Sequence, residues 1–145
     1  MSDSKFSSEN APKPVGSYPH SRRVGNLLFL SGVGPRVAGS NTHDSSVPGL
    51  KLDHNGNFLA FDFEAQCHSV FQNIKAILED SGSSWENLVD VTVFLVNMKR
   101  DFAVYNKVYA HYFKENQPCR TTVEINSLPT PIAIELKCIA TIKES

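Results

Sequence analysis

Two segments near the carboxy terminus place a cation and a carboxylate within apolar, strand-like sequence. Residues 117–125 contain Arg120, and residues 128–136 contain Glu135. An arginine offers a rigid fork of donors that suits a carboxylate, and a glutamate in an apolar strand is costly without a partner or a task. The pair predicts a site in which Arg120 clamps a carboxylate and Glu135 holds and activates a water. A structural ion pair of Arg120 with Glu135 or Glu124 explains the same residues, and spacing alone favours that alternative.

Other site chemistries have less support in the sequence. It contains no GxGxxG, GxxxxGK[ST], HExxH or GxSxG pattern. His43 and His54 lie in a loop-like stretch without an acidic or thiol partner at ligand spacing, so no metal is predicted. Cys119 adjoins Arg120, which can lower a thiol pKa, and His111 is the nearest candidate base for a thiol mechanism. The prediction that remains is a site without metal or cofactor.

The composition is that of one ordinary globular domain spanning residues 1–145. The hydrophobic content is 41%, the charged content is 20% and the net charge is −1. A net charge of −1 produces no positive electrostatic potential that would attract nucleic acid or an anionic membrane surface. Neither is therefore predicted as a partner. Three cysteines without a CxxC pair do not predict a disulfide framework. No apolar run is long enough to span a bilayer and no signal core is present, so we predict a cytoplasmic protein.

Hydrophobic periodicity predicts two helices among five strands. The helices are predicted at residues 62–81 and 101–114. Strands are predicted near Tyr18 and at residues 24–31, 88–96, 120–125 and 132–142. This order favours an α+β domain with two helices on one face of a mixed sheet. The other sheet face is too apolar to remain in water, which predicts oligomerisation.

Three further features bear on the site. Residues 1–15 are predicted to form an extended arm, and residues 34–60 a long loop with its own role. Gly32 and Gly34 allow the backbone to approach another group closely. Asn106 shares the apolar stripe of the second helix with Phe102 and Tyr109, and a buried amide needs partners. Spacing leaves open whether Asn106 satisfies the backbone or faces a ligand.

Several motifs together resemble the reactive intermediate deaminase (RidA, YjgF-type) family over nearly the full length. Each motif is weak alone, and the combination is specific. The matching segments are Glu9-Asn10-Ala11-Pro12, Gly16-Ser17-Tyr18, Leu30-Ser31-Gly32, residues 72–78, residues 91–96 with Asp101-Phe102 and residues 105–109, and, at the carboxy terminus, residues 120–125, Leu128-Pro129 and residues 134–136.

The resemblance implies a chorismate-mutase-like subunit in a homotrimer with sites at the subunit interfaces. It also implies hydrolysis of enamines or imines to ketones and ammonia without a cofactor. By matching position, Arg120 binds the substrate carboxylate and Glu135 the attacking water. The residues that the same resemblance assigns to substrate binding are Tyr18, Ser31, Gly32, Asn106 and Thr122, where Thr122 contributes its backbone amide.

Two departures from the general imine deaminases refine this expectation. Thr122 stands where many relatives have cysteine, which excludes thiol chemistry there. The longer segment 34–60, together with residues 94–98 and 120–123, resembles the 2-aminomuconate deaminase branch. That substrate carries two carboxylates, so we hypothesise that Arg36 contacts the distal one; a surface role for Arg36 is the alternative.

Three functions follow as expectations from the resemblance. The first is conversion of 2-aminomuconate to 2-oxohex-3-enedioate and ammonia in the degradation of aromatic compounds. The second is a broad-specificity 2-iminobutanoate or 2-iminopropanoate deaminase. The third, from a different class, is a non-catalytic ligand-binding or chaperone-like trimer.

Overall fold

A six-stranded mixed sheet carries both helices on one of its faces. The structure, a computed structural model, describes residues 3–39 and 47–143. The strands of this sheet are β1 (Asp3–Phe6), β2 (Ser21–Val24), β3 (Leu27–Leu30), β6 (Leu88–Leu95), β7 (Cys119–Glu124) and β8 (Ile134–Thr141). They lie in the order β1-β2-β3-β8-β6-β7, with β6 and β7 parallel and the other neighbours antiparallel. The predicted α+β class, with two helices on a mixed sheet, is confirmed.

Helix α1 (Phe63–Asp80) follows directly from its sequence. Asp62 caps it by accepting a hydrogen bond from the Ala65 amide at 3.2 Å. Apolar residues at three- and four-residue steps turn one face to the sheet. The helix ends before Gly82, which has a φ of 86° that favours glycine. The prediction of a helix at 62–81 is therefore confirmed within one residue at each end.

Helix α2 (Met98–Tyr112) begins three residues before the predicted start. Asn97 caps it through a hydrogen bond from the Arg100 amide to Oδ1, and Glu124 accepts from the Met98 amide at 2.8 Å. The helix therefore has a side-chain cap and a tertiary cap at its first turn. Since Glu124 stabilises the start of α2, it does not form the alternative ion pair with Arg120.

Strands β6 and β8 form the centre of the core. The side chains of Leu88, Val91, Val93 and Leu95 are buried, whereas Val89 is 40% exposed. A register shift between Leu88 and Asp90 in the pairing with β8 causes this. Simple alternation along the predicted strand 88–96 would place Val89 on the same face as Val91, and the bulge breaks this alternation.

The amino-terminal arm and the long loop both contain strands. Part of the predicted arm 1–15 forms β1, which pairs with β2 at the edge of the sheet. Part of the predicted loop 34–60 forms a separate hairpin of β4 (Leu50–Leu52) and β5 (Phe58–Phe61). Asp53 supports its turn by accepting hydrogen bonds from the amides of Asn55 and Asn57. Among the described residues, no helix has the length and apolar character to cross a membrane.

Candidate active site

Arg120 lies on the edge strand β7 with its side chain turned towards α2. Its Nε donates to Thr122 Oγ1 at 2.9 Å, and its Nη2 donates to Asn106 Oδ1 at 2.7 Å. Both acceptors are neutral, so neither compensates the charge of the guanidinium. Asn106 is exposed in the subunit, so the prediction that it is buried is wrong. The structure shows Asn106 and Thr122 orienting Arg120 through their side chains.

Three aromatic rings of α2 surround the same guanidinium. Its central carbon lies 4.7 Å from the ring centre of Tyr109, 5.1 Å from that of Tyr105 and 5.8 Å from that of Phe102. Cation–π contacts of this kind hold an arginine without neutralising its charge. Burial raises the pKa of Tyr105, and it raises the pKa of Tyr109 to about 12, so both rings remain neutral. The full positive charge of Arg120 is therefore available to a ligand.

Glu135 lies on the opposite face of the sheet. It alternates with Ile134 and Leu136, which are fully buried against the helices. Burial raises the pKa of the Glu135 carboxyl. A half-buried carboxylate with a raised pKa accepts a proton more readily than an exposed one. The environment of Glu135 thus suits a group that takes a proton from a bound water.

Gly32 provides the space for the Glu135 carboxyl. Val33 forms a two-way backbone bridge with Leu136, with N···O distances of 2.8 and 2.9 Å, which brings Gly32 beside Glu135. A Cβ atom at position 32 would lie 2.6 Å from Glu135 Oε2 and 2.9 Å from its Cδ. The glycine predicted to allow a close approach therefore receives Glu135 of its own chain.

A cleft next to Glu135 contains the other predicted binding residues. Tyr18, Gly32 and Arg36 line it together with Glu135. Ser31 borders the adjoining cavity, where its Oγ donates to the carbonyl of Pro19 at 2.7 Å. Tyr18 is 42% exposed, whereas Arg36 is only 8% exposed. The alternative that Arg36 is a surface residue is therefore wrong.

The predicted site residues thus form two groups that one subunit keeps apart. Arg120, Thr122 and Asn106 lie on the helix side of the sheet, and Glu135 lies on the other side. Strand β6 separates β7 from β8, with Val91 opposite Arg120 and Phe94 opposite Glu135. Two strand spacings and three residue steps place their Cα atoms roughly 14 Å apart. The alternative of an Arg120–Glu135 ion pair within the chain is therefore wrong.

Comparison with known proteins establishes the family. The sequence model described as Endoribonuclease L-PSP matches residues 8–142. The chain belongs to this family. The RutC family protein of Pyrococcus horikoshii is 40% identical over 133 residues, which cover 91% of this chain and 92% of that protein. The predicted family resemblance is thereby confirmed.

Two other similar proteins bear on the site. Reactive Intermediate Deaminase A, chloroplastic, of Arabidopsis thaliana is 34% identical over 136 residues, covering 94% of this chain and 64% of that protein. The crystal structure of E. coli TdcF with bound serine is similar with a TM-score of 0.77 and 26% identity, covering 97% of this chain and 99% of that chain.

The aromatic surround of Arg120 is the feature that sequence reasoning missed. The periodicity of Phe102, Tyr105 and Tyr109 indicates a core stripe, yet Phe102 is 38% exposed and contacts the guanidinium. The signal for this role was the polar Asn106 within the stripe. The side-chain amide of Asn106, directly after Tyr105, accepts a hydrogen bond from Arg120 where the apolar stripe reaches the edge of the sheet.

The competing thiol and metal sites have little geometric support. Cys119 alternates with Arg120 on β7 and so faces away from α2, the helix that carries His111. Cys67 and Cys138 are fully buried, and burial raises the pKa of both thiols, so neither is an exposed nucleophile. Among the described residues, no three His, Cys, Asp or Glu side chains cluster as metal ligands. His43 lies outside the described residues.

Proposed function

We propose that this family member is a hydrolytic deaminase that converts 2-aminomuconate to 2-oxohex-3-enedioate and ammonia without a cofactor. The observation that carries the proposal is the pre-oriented cation. Asn106, Thr122 and three aromatic rings hold Arg120 while leaving its charge uncompensated. A guanidinium presented in this way is suited to clamp a carboxylate.

The proposed chemistry needs one cation, one base and one water. The enamine tautomerises to the imine while Arg120 holds the neighbouring carboxylate. Glu135 takes a proton from water as the oxygen attacks the imine carbon, and a tetrahedral carbinolamine forms. Glu135 returns this proton to the nitrogen and then removes the O–H proton of the carbinolamine. That proton also passes to the nitrogen as the C=O bond forms and the C–N bond breaks, and neutral ammonia leaves. The product is a 2-oxo acid, and the overall reaction consumes one water.

The opposite orientation of the two groups supports a site made by two subunits. In a ring of three identical chains, each interface joins two different surfaces of neighbouring subunits. Such an interface brings the Arg120 side of one chain against the Glu135 side of the next. We therefore propose a homotrimer in which each interface holds one complete site, as the family resemblance implies.

The choice of substrate rests on the segment 34–60 and on the relatives. A relative named Reactive Intermediate Deaminase A and a relative that binds serine support an amine- or imine-bearing acid as ligand. The long segment 34–60 and the buried Arg36 favour a dicarboxylic substrate. A broad-specificity 2-imino acid deaminase remains the alternative, since the Arg120 and Glu135 groups serve both substrates equally.

The decisive experiment follows the absorbance of enzymically generated 2-aminomuconate. The wild-type protein is expected to accelerate its loss and to release one ammonia per molecule, whereas Arg120→Ala is not. Ammonia release from 2-iminobutanoate is measured in parallel. Turnover of 2-iminobutanoate alone supports the broad-specificity alternative. Absence of turnover on both substrates by a folded wild-type protein contradicts the proposal and favours a ligand-binding role.

A further inference from the structure

Arg36 is a buried cation that forms no salt bridge with a carboxylate of the described residues. Its side chain is 8% exposed. Its Nη2 donates to the carbonyl of Lys13 at 2.7 Å. Its Nη1 is buried and has no hydrogen-bond partner among residues 3–39 and 47–143. A buried guanidinium without an anion carries a desolvation cost that a ligand carboxylate can offset.

The backbone around Arg36 is held in place by α1. Ser69 Oγ donates to the carbonyl of Pro35 at 2.6 Å. Asn73 Nδ2 donates to the carbonyl of Gly34 at 3.0 Å and to that of Arg36 at 2.8 Å. Asn73 is itself only 6% exposed. Two polar side chains of α1 thus donate hydrogen bonds to the carbonyls of three consecutive residues. These hydrogen bonds fix the backbone position of Arg36.

The guanidinium of Arg36 shares its cleft with Glu135 but does not pair with it. Arg36, Glu135, Tyr18 and Thr130 all line this cleft. Burial raises the pKa of Glu135, and no described cation offsets that effect. An ion pair with Arg36 would lower the same pKa instead. Arg36 therefore presents an unneutralised charge in the cleft that holds the proposed base.

We propose that Arg36 binds a second carboxylate of the substrate and so selects dicarboxylic over monocarboxylic ligands. This inference rests on the proposed function in two respects: the first carboxylate lies at Arg120, and the proposed trimer interface brings Arg120 of one chain to the Arg36 cleft of the next. An elongated ligand with a carboxylate at each end then spans both cations. Arg36 is then the residue that determines specificity, and Asn73 and Ser69 are its positioning residues.

The test uses two ligands with the same carbon skeleton. Trans,trans-muconate has a carboxylate at each end, whereas sorbate has a carboxylate at one end and a methyl group at the other. Calorimetry on the wild-type assembly is expected to show muconate binding about 10- to 100-fold tighter, the range for one charge-assisted contact. Arg36→Gln is expected to remove this preference while leaving sorbate affinity unchanged.

Two control variants make the test specific. Lys75→Gln removes one positive charge from an exposed position on α1 and is expected to keep the muconate preference. Arg36→Lys keeps the charge without the fork and is expected to retain part of the preference. Unchanged sorbate binding shows that each variant is folded. If Arg36→Gln retains the full muconate preference, or weakens both ligands equally, the inference is wrong.

The binding test also separates this inference from the proposed reaction. A muconate preference that depends on Arg36, in a protein that turns over no imine, overturns the proposed function and leaves the dicarboxylate subsite standing. Turnover of 2-aminomuconate that Arg36→Gln does not slow, together with an unchanged ligand preference, overturns the subsite and leaves the deaminase standing.

Discussion

The side chains of Arg120 and Glu135 lie on opposite faces of the same sheet. Arg120 contacts Asn106 and the rings of α2, whereas Glu135 alternates with two residues that are buried beneath the helices. No rotamer change brings the two groups together across a sheet whose core is filled. If both groups act in one reaction, as proposed, each chain contributes half of two different sites, which leads to a test by mixing variants.

Arg120→Ala and Glu135→Gln are each expected to lower kcat/KM at least about 100-fold, since loss of a charged contact costs about 3 kcal/mol. Co-expression of the two variant chains is expected to restore activity. In random mixed trimers, about a quarter of the interfaces join an intact Arg120 to an intact Glu135. Ammonia release by the purified mixture measures the recovery.

The separately purified variants, combined without exchange of subunits, serve as the control for this recovery and are expected to remain inactive. A double variant, Arg120→Ala with Glu135→Gln, co-expressed with wild-type chains shows how far dilution alone lowers the rate. A co-expressed mixture no more active than its parents would mean that one chain holds the whole site.

The orienting contacts of Arg120 predict a second set of effects. Asn106→Ala removes a charge-assisted hydrogen bond and is expected to lower kcat/KM roughly 10- to 100-fold. Thr122→Val keeps the shape and the backbone amide but removes the other acceptor, so a smaller loss is expected. Because both act on one guanidinium, the double variant is expected to lose less than the product of the two. Steady-state kinetics on the four proteins measures this coupling.

Losses that multiply fully would show that Asn106 and Thr122 act independently of Arg120. Asn106→Asp provides a further check, because it strengthens the contact to Arg120 while neutralising the charge. It is expected to bind a carboxylate ligand more weakly than Asn106→Ala does. Equal or tighter binding by Asn106→Asp contradicts the clamp.

Some of this arrangement is readable from the sequence because it depends on local pattern. The stripe of α1 and its Asp62 cap predict that helix closely. The alternation along β7 correctly places Arg120 and Thr122 on one face. Which face that is depends on the strand order and on the contacts with α2, and neither is encoded locally. The sequence therefore identifies Arg120 and Glu135 but not their separation.

The other sequence predictions fail where tertiary contacts place a residue differently from the hydrophobic periodicity of its helix or strand. Val89 leaves its expected face because β6 is bulged against β8. Asn106 lies on the helical stripe by count, yet it is exposed because the stripe ends at the sheet edge beside Arg120. Arg36 is buried, and Asn73, a polar residue on the inner face of α1, donates a hydrogen bond to its backbone carbonyl. A lone asparagine at a buried helical position was the available signal.

Gly32→Ala is expected to reduce activity without unfolding the protein. The new Cβ would lie 2.6 Å from Glu135 Oε2, so the carboxyl must move out of its present position. The displaced atoms are the end of a flexible side chain, which keeps the cost in stability small. A displacement of about 1 Å at a reacting group is expected to lower kcat roughly 100-fold. Kinetics and thermal melting of Gly32→Ala measure the two effects separately.

Gly25→Ala is the matched control for Gly32→Ala. Gly25 has a φ of 62° in the turn between β2 and β3, and a Cβ added there would meet no atom within 4 Å. This variant is expected to lower the melting temperature through backbone strain and to leave kcat unchanged. If Gly32→Ala lost melting temperature but kept its kcat, the position of Glu135 would not control the reaction.

The raised pKa of Glu135 predicts the pH dependence of both activity and stability. In the proposed mechanism the carboxylate is the active form. We therefore expect kcat/KM to rise with pH, with an apparent pKa above that of an ordinary glutamate. Glu135→Gln is expected to remove this rise.

The same raised pKa predicts how stability depends on pH. Because burial raises the folded-state pKa of Glu135, its contribution to the free energy of unfolding is complete below the unfolded-state pKa and is lost as pH rises through the folded-state pKa. Glu135→Gln is therefore expected to melt at a higher temperature than the wild type above this window, with the difference shrinking as pH falls. A wild type that gains stability from Glu135 as pH rises would show that the carboxylate is paired and thus does not act as a free base.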